Sequence, residues 1–312
     1  MYDILAAVIL DWIIGDPYWF PHPIKYIGKL IKALEGFGRR HIKSNKTMKI
    51  YGGGVVVIVA FISFIIPFTI LKAAKNIPLL FHLINVLILW TTLAARCLHS
   101  EAKKVYTALK EKGIEEARIK LSYIVGRDTS LLTEGEIIRA DVETVAENTS
   151  DGVIAPMIFA IIGGAPLAML YKGINTMDSM LGYMNEKYRF IGFFPAKTDD
   201  VFNFIPARIT GILLSLVSPI KGGSIINSLR IMWRDRKNHK SPNCAYPEAA
   251  VAGALKIQLG GTNVYFGETL IKPTMGDKIK QLSKEHIIAA IQLMYASEVL
   301  LLVIILLVKE LI

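Results

Sequence analysis

The stretch HIIAAIQLMYASEVLLLVIILLV, His286 to Val308, contains only one Asp, Glu, Lys or Arg, which is Glu298. About 20 consecutive apolar residues are enough for a helix to span the hydrocarbon core of a bilayer. The stretch therefore predicts a membrane-spanning helix. The composition agrees, because 53% of the residues are hydrophobic, only 20% are charged and the mean hydropathy is +0.43, whereas a soluble domain has about 25% charged residues.

Apolar segments recur along the whole chain of 312 residues. We expect an all-α, polytopic integral membrane protein with four to six membrane helices, forming one membrane-embedded domain over residues 1–312. The candidate membrane segments are 4–14, 54–71, 79–98, 153–171, 205–220 and 287–308, and the polar loops 100–151, 172–204 and 221–286 are expected to contain helices. The segment 153–171 includes GGAP (Gly163 to Pro166), which is typical of a broken or re-entrant helix. Either this segment dips into the membrane and returns, or it crosses fully and residues 175–200 lie outside.

The charge distribution predicts topology. The chain has 36 Lys and Arg against 26 Asp and Glu, a net charge of +10, and the stretch from Lys25 to Lys49 has eight Lys and Arg against one acid. Such stretches face the cytoplasm, so we expect a multi-pass protein of the cell membrane. The chain lacks basic runs interleaved with aromatic residues, so we expect no nucleic-acid partner.

Several kinds of site and signal are excluded by missing motifs. The sequence has no phosphate-binding G-x-x-x-x-G-K-[ST] loop and no H-E-x-x-H. Cys97 and Cys244 are the only cysteines and cannot build a disulfide framework or a zinc knuckle. The six histidines are scattered, and we expect core or surface roles for them. The first apolar segment carries Asp11 and lacks a preceding basic region, so we expect no cleavable signal peptide.

The stretch ETVAENTSDGVIAP, Glu143 to Pro156, predicts a binding site before an apolar segment. Thr133 and Glu136 have the spacing of a capping box that opens the preceding helix. Glu143 and Glu147 are one turn apart near the end of that helix. Like charges at this spacing repel each other and oppose the helix dipole. A cation or a basic substrate group would relieve this cost.

Further motifs supply oxygen and guanidinium groups. They are VGRDTS with Arg127 and Asp128; NTMDSM with Asn175 and Asp178; KTDDVFNFIPAR with Asp199, Asp200, Asn203 and Arg208; and SPNCAYPEAA with Ser241, Asn243 and Glu248. Hard oxygen ligands suit Mg²⁺, which takes one or two carboxylates together with substrate phosphates. The alternative is structural, since Asp and Asn also cap helices and form turns.

The ordered series DWIIGDPYWFPHPIKYIG, GRDTS, VETVAENTSDGVIAP, NTMDSMLGY, DDVFNFIPARIT and SPNCAYPEAAVAGAL resembles the CobD/CbiB family of cobalamin-biosynthesis membrane proteins, the adenosylcobinamide-phosphate synthases. The resemblance runs from about Asp11 to Gly267. One departure is local: Cys244 and Ala245 stand where a small residue and glycine are expected.

The resemblance implies a reaction. Family members attach (R)-1-amino-2-propanol, or its O-phosphate, to the f-side-chain carboxylate of (adenosyl)cobyric acid, which gives (adenosyl)cobinamide or its phosphate. The resemblance also implies ATP as co-substrate and Mg²⁺ as cofactor, with activation as an acyl phosphate or an acyl adenylate. The implied partners are these small molecules, the lipid bilayer and other late cobalamin-pathway membrane enzymes.

The matched motifs also imply site residues, which we expect to converge on one pocket at the membrane boundary. Glu147, Asp151 and Asp178 are expected to bind Mg²⁺ and phosphate, and Asp200 is expected to be a further ligand or the base. The expected substrate- and phosphate-binding residues are Arg127, Asp128, Glu143, Asn148, Asn175, Asn203, Arg208, Ser241, Asn243 and Glu248, with Lys197 a weaker candidate. Two other classes stay open: a membrane transporter of a corrinoid or ion, and a non-catalytic membrane scaffold.

Overall fold

The computed structural model describes residues 1–17, 19–183, 185–265 and 268–311. The helices are α1 (Tyr2–Ile14), α2 (Pro23–His41), α3 (Asn45–Ala74), α4 (Pro78–Trp90), α5 (Ala95–Glu111), α6 (Ile114–Ser122), α7 (Glu134–Thr149), α8 (Ala155–Leu181), α9 (Phe193–Phe202), α10 (Phe204–Leu216), α11 (Ile225–Asp235), α12 (Ala245–Leu255) and α13 (Glu285–Leu311). A π-helical turn, Ser150–Ile154, separates α7 from α8, and a 3₁₀ turn, Ser218–Lys221, follows α10.

The described residues include four helical segments that are long and apolar enough to cross a membrane. They are Asn45–Ala74, Pro78–Glu111, Glu134–Leu181 and Glu285–Val308, and Phe204–Leu216 is a shorter apolar helix. The prediction of an all-α polytopic membrane protein is therefore confirmed. The structure adds one antiparallel hairpin, β1 (Leu259–Tyr265) with β2 (Glu268–Met275), inside the predicted polar loop 221–286. Phe266 and Gly267, at the end of the resemblance, lie outside the described residues.

The chain divides into two units. Unit 1 comprises Met1–Ala94 and Ala155–Asn203, and unit 2 comprises Ala95–Ile154 and Phe204–Ile312. In unit 1, α3 packs against α8, and α2 packs against both, so that residues such as Ile31 and Val59 are buried. In unit 2, α12 packs against α10 and α11, and α7 packs against α13. The prediction of a single domain stays a prediction.

The predicted membrane segment 79–98 lies within the candidate span Pro78–Glu111, but the helix is interrupted there, because α4 ends at Trp90 and α5 begins at Ala95. The hydroxyl of Thr91 donates to the carbonyl of Ile88, and that of Thr92 donates to the carbonyl of Leu89. Threonine side chains that bond to nearby carbonyls compete with helical backbone hydrogen bonds. The two threonines therefore help to end α4 within an apolar run.

The break predicted from GGAP is confirmed. Within α8, Gly163 and Gly164 leave helical geometry, and Gly164 has φ 66° and ψ −165°, a conformation that side chains with a Cβ rarely adopt. The capping box is also confirmed, since Glu136 accepts hydrogen bonds from the backbone N–H and the hydroxyl of Thr133.

The capping alternative for Asp199 and Asp200 is wrong. Both aspartates lie in the second half of α9, where a negative charge opposes the helix dipole. Asn175 and Asp178 likewise lie inside α8 and far from its start. Neither pair therefore caps a helix N-terminus.

Candidate functional site

A polar stripe runs along one face of α7 in unit 2. Arg139, Glu143 and Glu147 follow each other at four-residue steps, and Asp151 comes four residues later in the π-helical turn. Residues four apart in a helix lie one above the other. The stripe therefore presents a cation and three carboxylates in sequence. A π-turn inside a longer helix often occurs at a functional site.

Glu147 and Asp151 belong to a group that we call the carboxylate cluster, which consists of Glu147, Asp151, Glu248 and the thiol of Cys244. Cys244 Sγ donates to Glu147 Oε1 at 3.0 Å. Burial raises the pKa of the Cys244 thiol well above its ordinary value, and the negative charges of Glu147, Glu248 and Asp151 raise this pKa further. Three carboxylates therefore act on one sulfur atom, an arrangement that a divalent cation would stabilise.

The turn before α12 carries the other predicted residues of this region. The backbone N–H of Ser241 donates to His239 Nδ1 at 3.0 Å, and that of Asn243 donates to Ser241 Oγ at 3.2 Å. Arg208 on α10 donates to Asn243 Oδ1 at 3.3 Å, and its guanidinium lies 4.3 Å from the ring centroid of Tyr246. Arg208 is thereby oriented beside the start of α12.

The carboxylate of Glu143 has partners within the protein. Its Oε2 lies 2.7 Å from Arg127 Nη2, and both side chains are buried. Its Oε1 accepts the backbone N–H of Gly260 at 2.8 Å, and Arg139 Nε is 4.0 Å away. The spacing of Glu143 and Glu147 predicted a nearby cation, and at Glu143 the protein itself supplies this positive charge through Arg127 and Arg139. The predicted substrate contacts of Arg127 and Glu143 stay predictions.

A basic pocket lies next to the hairpin in unit 2. Its volume is about 360 Å³, and its lining includes the cations Arg139, Lys278 and Lys280 beside Gly260 and Gly261. Gly260 and Gly261 both have positive φ, a conformation that glycine adopts without steric cost. Clustered cations favour an anion such as phosphate. The sequence analysis did not select either lysine, because neither stands in a recognisable motif.

A second polar network lies in unit 1. Asn203 donates to Asp199 Oδ2 at 2.9 Å, and the hydroxyl of Tyr171 donates to Asn203 Oδ1 at 2.8 Å. Asn175 donates to Asp199 Oδ1 at 3.4 Å. The buried aspartate is therefore Asp199, whereas the predicted Asp200 pairs with Lys197 at 2.8 Å in a more exposed position. Sequence reasoning quoted Asp199 but did not select it, because burial cannot be read from two adjacent aspartates.

Two of the remaining predicted residues, Asp128 and Asn148, have local hydrogen-bond partners. Asp128 Oδ1 accepts from the backbone N–H and the hydroxyl of Ser130, and these hydrogen bonds lower the pKa of Asp128. Asn148 donates to the carbonyl of Thr144 on its own helix. Asp178 lies in the last turn of α8, in unit 1. The structure thus groups Glu147, Asp151 and Glu248 in unit 2, and Asn175 with Asn203 in unit 1.

These features define an all-α polytopic membrane protein whose unit 2 combines a carboxylate cluster with a basic pocket. The chain belongs to the CobD/Cbib protein family, whose model matches residues 4–294. A relative from Clostridium acetobutylicum, "Cobalamin biosynthesis protein CobD", is 66% identical over 304 residues, which cover 97% of this chain and 96% of the relative. "Cobalamin biosynthesis protein CobD" of Geobacter metallireducens is 50% identical over 301 residues, covering 96% and 93%.

"Cobalamin biosynthesis protein CbiB" of Salmonella typhi is 48% identical over 295 residues, which cover 94% of this chain and 92% of the relative. These matches extend over nearly the whole of each chain. The resemblance noted in the motifs is therefore confirmed. No solved structure gives a significant match.

Proposed function

We propose that the protein forms the amide bond between (R)-1-amino-2-propanol, or its O-phosphate, and the f-side-chain carboxylate of (adenosyl)cobyric acid, in the cell membrane. A role in cobalamin biosynthesis follows from membership of the family. The amide-forming step is our assignment within that role. It makes the protein a carbon–nitrogen ligase, with (adenosyl)cobinamide or its phosphate as product.

The proposed reaction needs ATP and Mg²⁺. At neutral pH an amine does not displace hydroxide from a carboxylate, so the carboxylate must first be activated. Magnesium would supply charge neutralisation at the phosphates when bound. Glu147, Asp151 and Glu248 fit this ion, since all three place carboxylate groups near the thiol of Cys244.

One observation carries the proposal: the face of α7 that contributes Arg139 to the basic pocket also contributes Glu147 to the carboxylate cluster. The two residues are two helical turns apart, a rise of about 12 Å. A phosphate chain held by Arg139, Lys278 and Lys280 would therefore lie close to carboxylates that can bind its metal ion.

Other residues would bind substrates. Arg208, oriented by Asn243 and Tyr246, is proposed to hold a carboxylate or phosphate of the substrates by charge-assisted hydrogen bonds. In unit 1, Asp178 stays a proposed Mg²⁺ ligand, and Asp200 stays a proposed ligand or base. We add Asp199, because a buried carboxylate with two amide donors is held in a fixed orientation.

The test is ATP consumption by the purified protein in detergent. Turnover is expected only when Mg²⁺, cobyric acid and an aminopropanol donor are all present. Glu147→Ala and Asp178→Ala should abolish amide formation while the variants remain in the membrane fraction. Turnover without the amine, or wild-type turnover in a variant, would contradict the reaction or the residue's role, respectively.

A transporter of a corrinoid or ion is the second candidate. Asp141 and Glu298 are fully buried within candidate membrane helices, and α8 is broken at Gly163 and Gly164. Buried ionisable groups and broken helices often mark transport pathways. Uptake of a corrinoid into vesicles containing the protein, in the absence of ATP and amine, would favour this candidate over the ligase.

A further inference from the structure

Three different metal-binding side chains meet in unit 2. His239, Cys244 and Glu248 each offer one donor atom, and these nitrogen, sulfur and oxygen atoms all lie within 4.8 Å of one another. Across the described ranges of the chain, this is the one group of three such residues that meets this distance. A site that offers nitrogen, sulfur and oxygen donors differs in its metal-binding chemistry from a cluster that offers only carboxylate oxygens.

The local fold brings the donors together. Cys244 occupies the N-cap position of α12, and Glu248 lies one turn later on the same face. His239 comes from the turn that precedes α12, after α11 has ended at Asp235. The fourth donor comes from α7, since Glu147 Oε1 is 3.0 Å from the sulfur of Cys244.

We propose that His239, Cys244, Glu248 and Glu147 form a site for a zinc-type divalent ion. Zinc takes four ligands from cysteine sulfur, histidine nitrogen and carboxylate oxygen. Magnesium prefers six oxygen ligands in octahedral geometry and gains little from a thiolate. The thiol therefore makes this site prefer zinc over magnesium, a preference that carboxylates alone would not provide.

Metal binding exchanges one bond at sulfur for another. The S–H bond of Cys244 breaks, its proton goes to water, and a sulfur–metal bond forms. The hydrogen bond from the thiol to Glu147 is lost at the same time, which leaves that carboxylate oxygen available to the ion. One proton is therefore released for each ion bound through this thiol.

His239 is the ligand that requires the largest rearrangement. The backbone N–H of Ser241 donates to its Nδ1 at 3.0 Å. This hydrogen bond must break if the metal binds Nδ1, and equally if it binds Nε2 and the ring proton moves to Nδ1. We therefore expect His239 to contribute less to affinity than Cys244.

The proposal does not depend on the amide-forming reaction, although Glu147 and Glu248 belong to both sites. It needs only the four side chains and their mutual distances. Its test is therefore spectroscopic, and inactivity of the protein as a ligase would leave the result unchanged.

The experiment uses full-length protein in detergent, reduced, stripped of metal and purified without a polyhistidine tag. Cobalt(II) serves as the probe, since cobalt bound to a thiolate shows sulfur-to-metal charge-transfer absorption. We expect this band to saturate at one equivalent of cobalt and to disappear when zinc is added. Cys244→Ser should lose the band, whereas Cys97→Ser, the matched control at the other cysteine, should keep it.

Zinc affinity gives the second measurement. Loss of an outer-shell partner of a metal site typically costs 10–100-fold in affinity, so loss of the Cys244 ligand is expected to cost roughly 100-fold or more. His239→Gln should cost less and keep the band, and gel filtration establishes that each variant remains folded. The proposal is overturned if the wild type shows no charge-transfer band at saturating cobalt, or if the band survives in Cys244→Ser.

Discussion

The buried ion pair between Arg127 and Glu143 leads to a prediction about stability. The two side chains are 7% and 5% exposed, and 2.7 Å separates Arg127 Nη2 from Glu143 Oε2. Removing one partner of such a pair leaves a buried charge uncompensated, which typically costs about 3–5 kcal/mol. Arg139 Nε, 4.0 Å from the other oxygen, remains as partial compensation. We therefore expect Arg127→Met to lower the free energy of unfolding by about 3 kcal/mol, the lower end of that range.

The double variant Arg127→Met/Glu143→Gln is expected to recover most of this loss. Replacing both members of a buried pair removes both charges, and such replacements are often nearly neutral. The glutamine oxygen can still accept the backbone N–H of Gly260, which the native carboxylate accepts at 2.8 Å. The difference between the single and double variants measures the coupling between the two residues.

The assay is equilibrium unfolding in detergent micelles, followed by circular dichroism. A loss of about 3 kcal/mol corresponds to roughly a hundredfold change in the ratio of folded to unfolded protein. Lys120→Met is the control, since Lys120 pairs with Glu116 on the surface, and exposed pairs contribute little to stability. Wild-type stability of Arg127→Met, or a double variant no more stable than the single one, would refute the reasoning.

Three further changes test the site and the packing. Glu147→Ala should reduce ATP-dependent amide formation by roughly 100-fold or more, because the metal loses a ligand, as measured by product formation. Gly52→Ala would place a methyl group 2.2 Å from the carbonyl oxygen of Ile191, and this variant should be destabilised by about 1–3 kcal/mol in thermal unfolding. Gly54→Ala is the control, since no atom lies within 4 Å of its added methyl group. This variant should be as stable as the wild type or more stable. Thr133→Ala removes the capping hydroxyl and should cost about 1 kcal/mol in the same assay.

Each of these expectations has a clear contrary result. Undiminished product formation by Glu147→Ala would remove this residue from the metal site. Equal stability of the alanine variants at positions 52 and 54 would show that the close approach of Ile191 to position 52 imposes no cost on the Gly52→Ala variant. An unchanged midpoint for Thr133→Ala would show that Glu136 alone satisfies the start of α7.

The sequence by itself determined the features that depend on near neighbours. Apolar runs predicted the membrane helices, since the length of a run decides whether it can span a bilayer. Thr133 and Glu136 predicted the start of α7, and Gly163 to Pro166 predicted the break in α8. The ordered motifs predicted the family, which the matches over nearly the whole chain confirmed.

Features that join distant residues were decided by the tertiary structure. Cys244 and Glu147 are 97 positions apart and share a hydrogen bond, and Gly260 donates to Glu143 across 117 positions. Neither partner carries a local signal for the other. The position of the pocket lysines and the burial of Asp199 also depend on distant residues, because packing between separate parts of the chain decides both.

The physical reason is the range of the interactions. A cap, a glycine break or an apolar helix is stabilised by residues within a few positions, so its signal stays in one stretch of sequence. An ion pair such as that of Glu143 with Arg127, or the donor set around Cys244, exists only after packing has brought separate elements together. The sequence determines which side chains are present, and the tertiary structure determines which of them form ion pairs, share hydrogen bonds or bind the same metal ion.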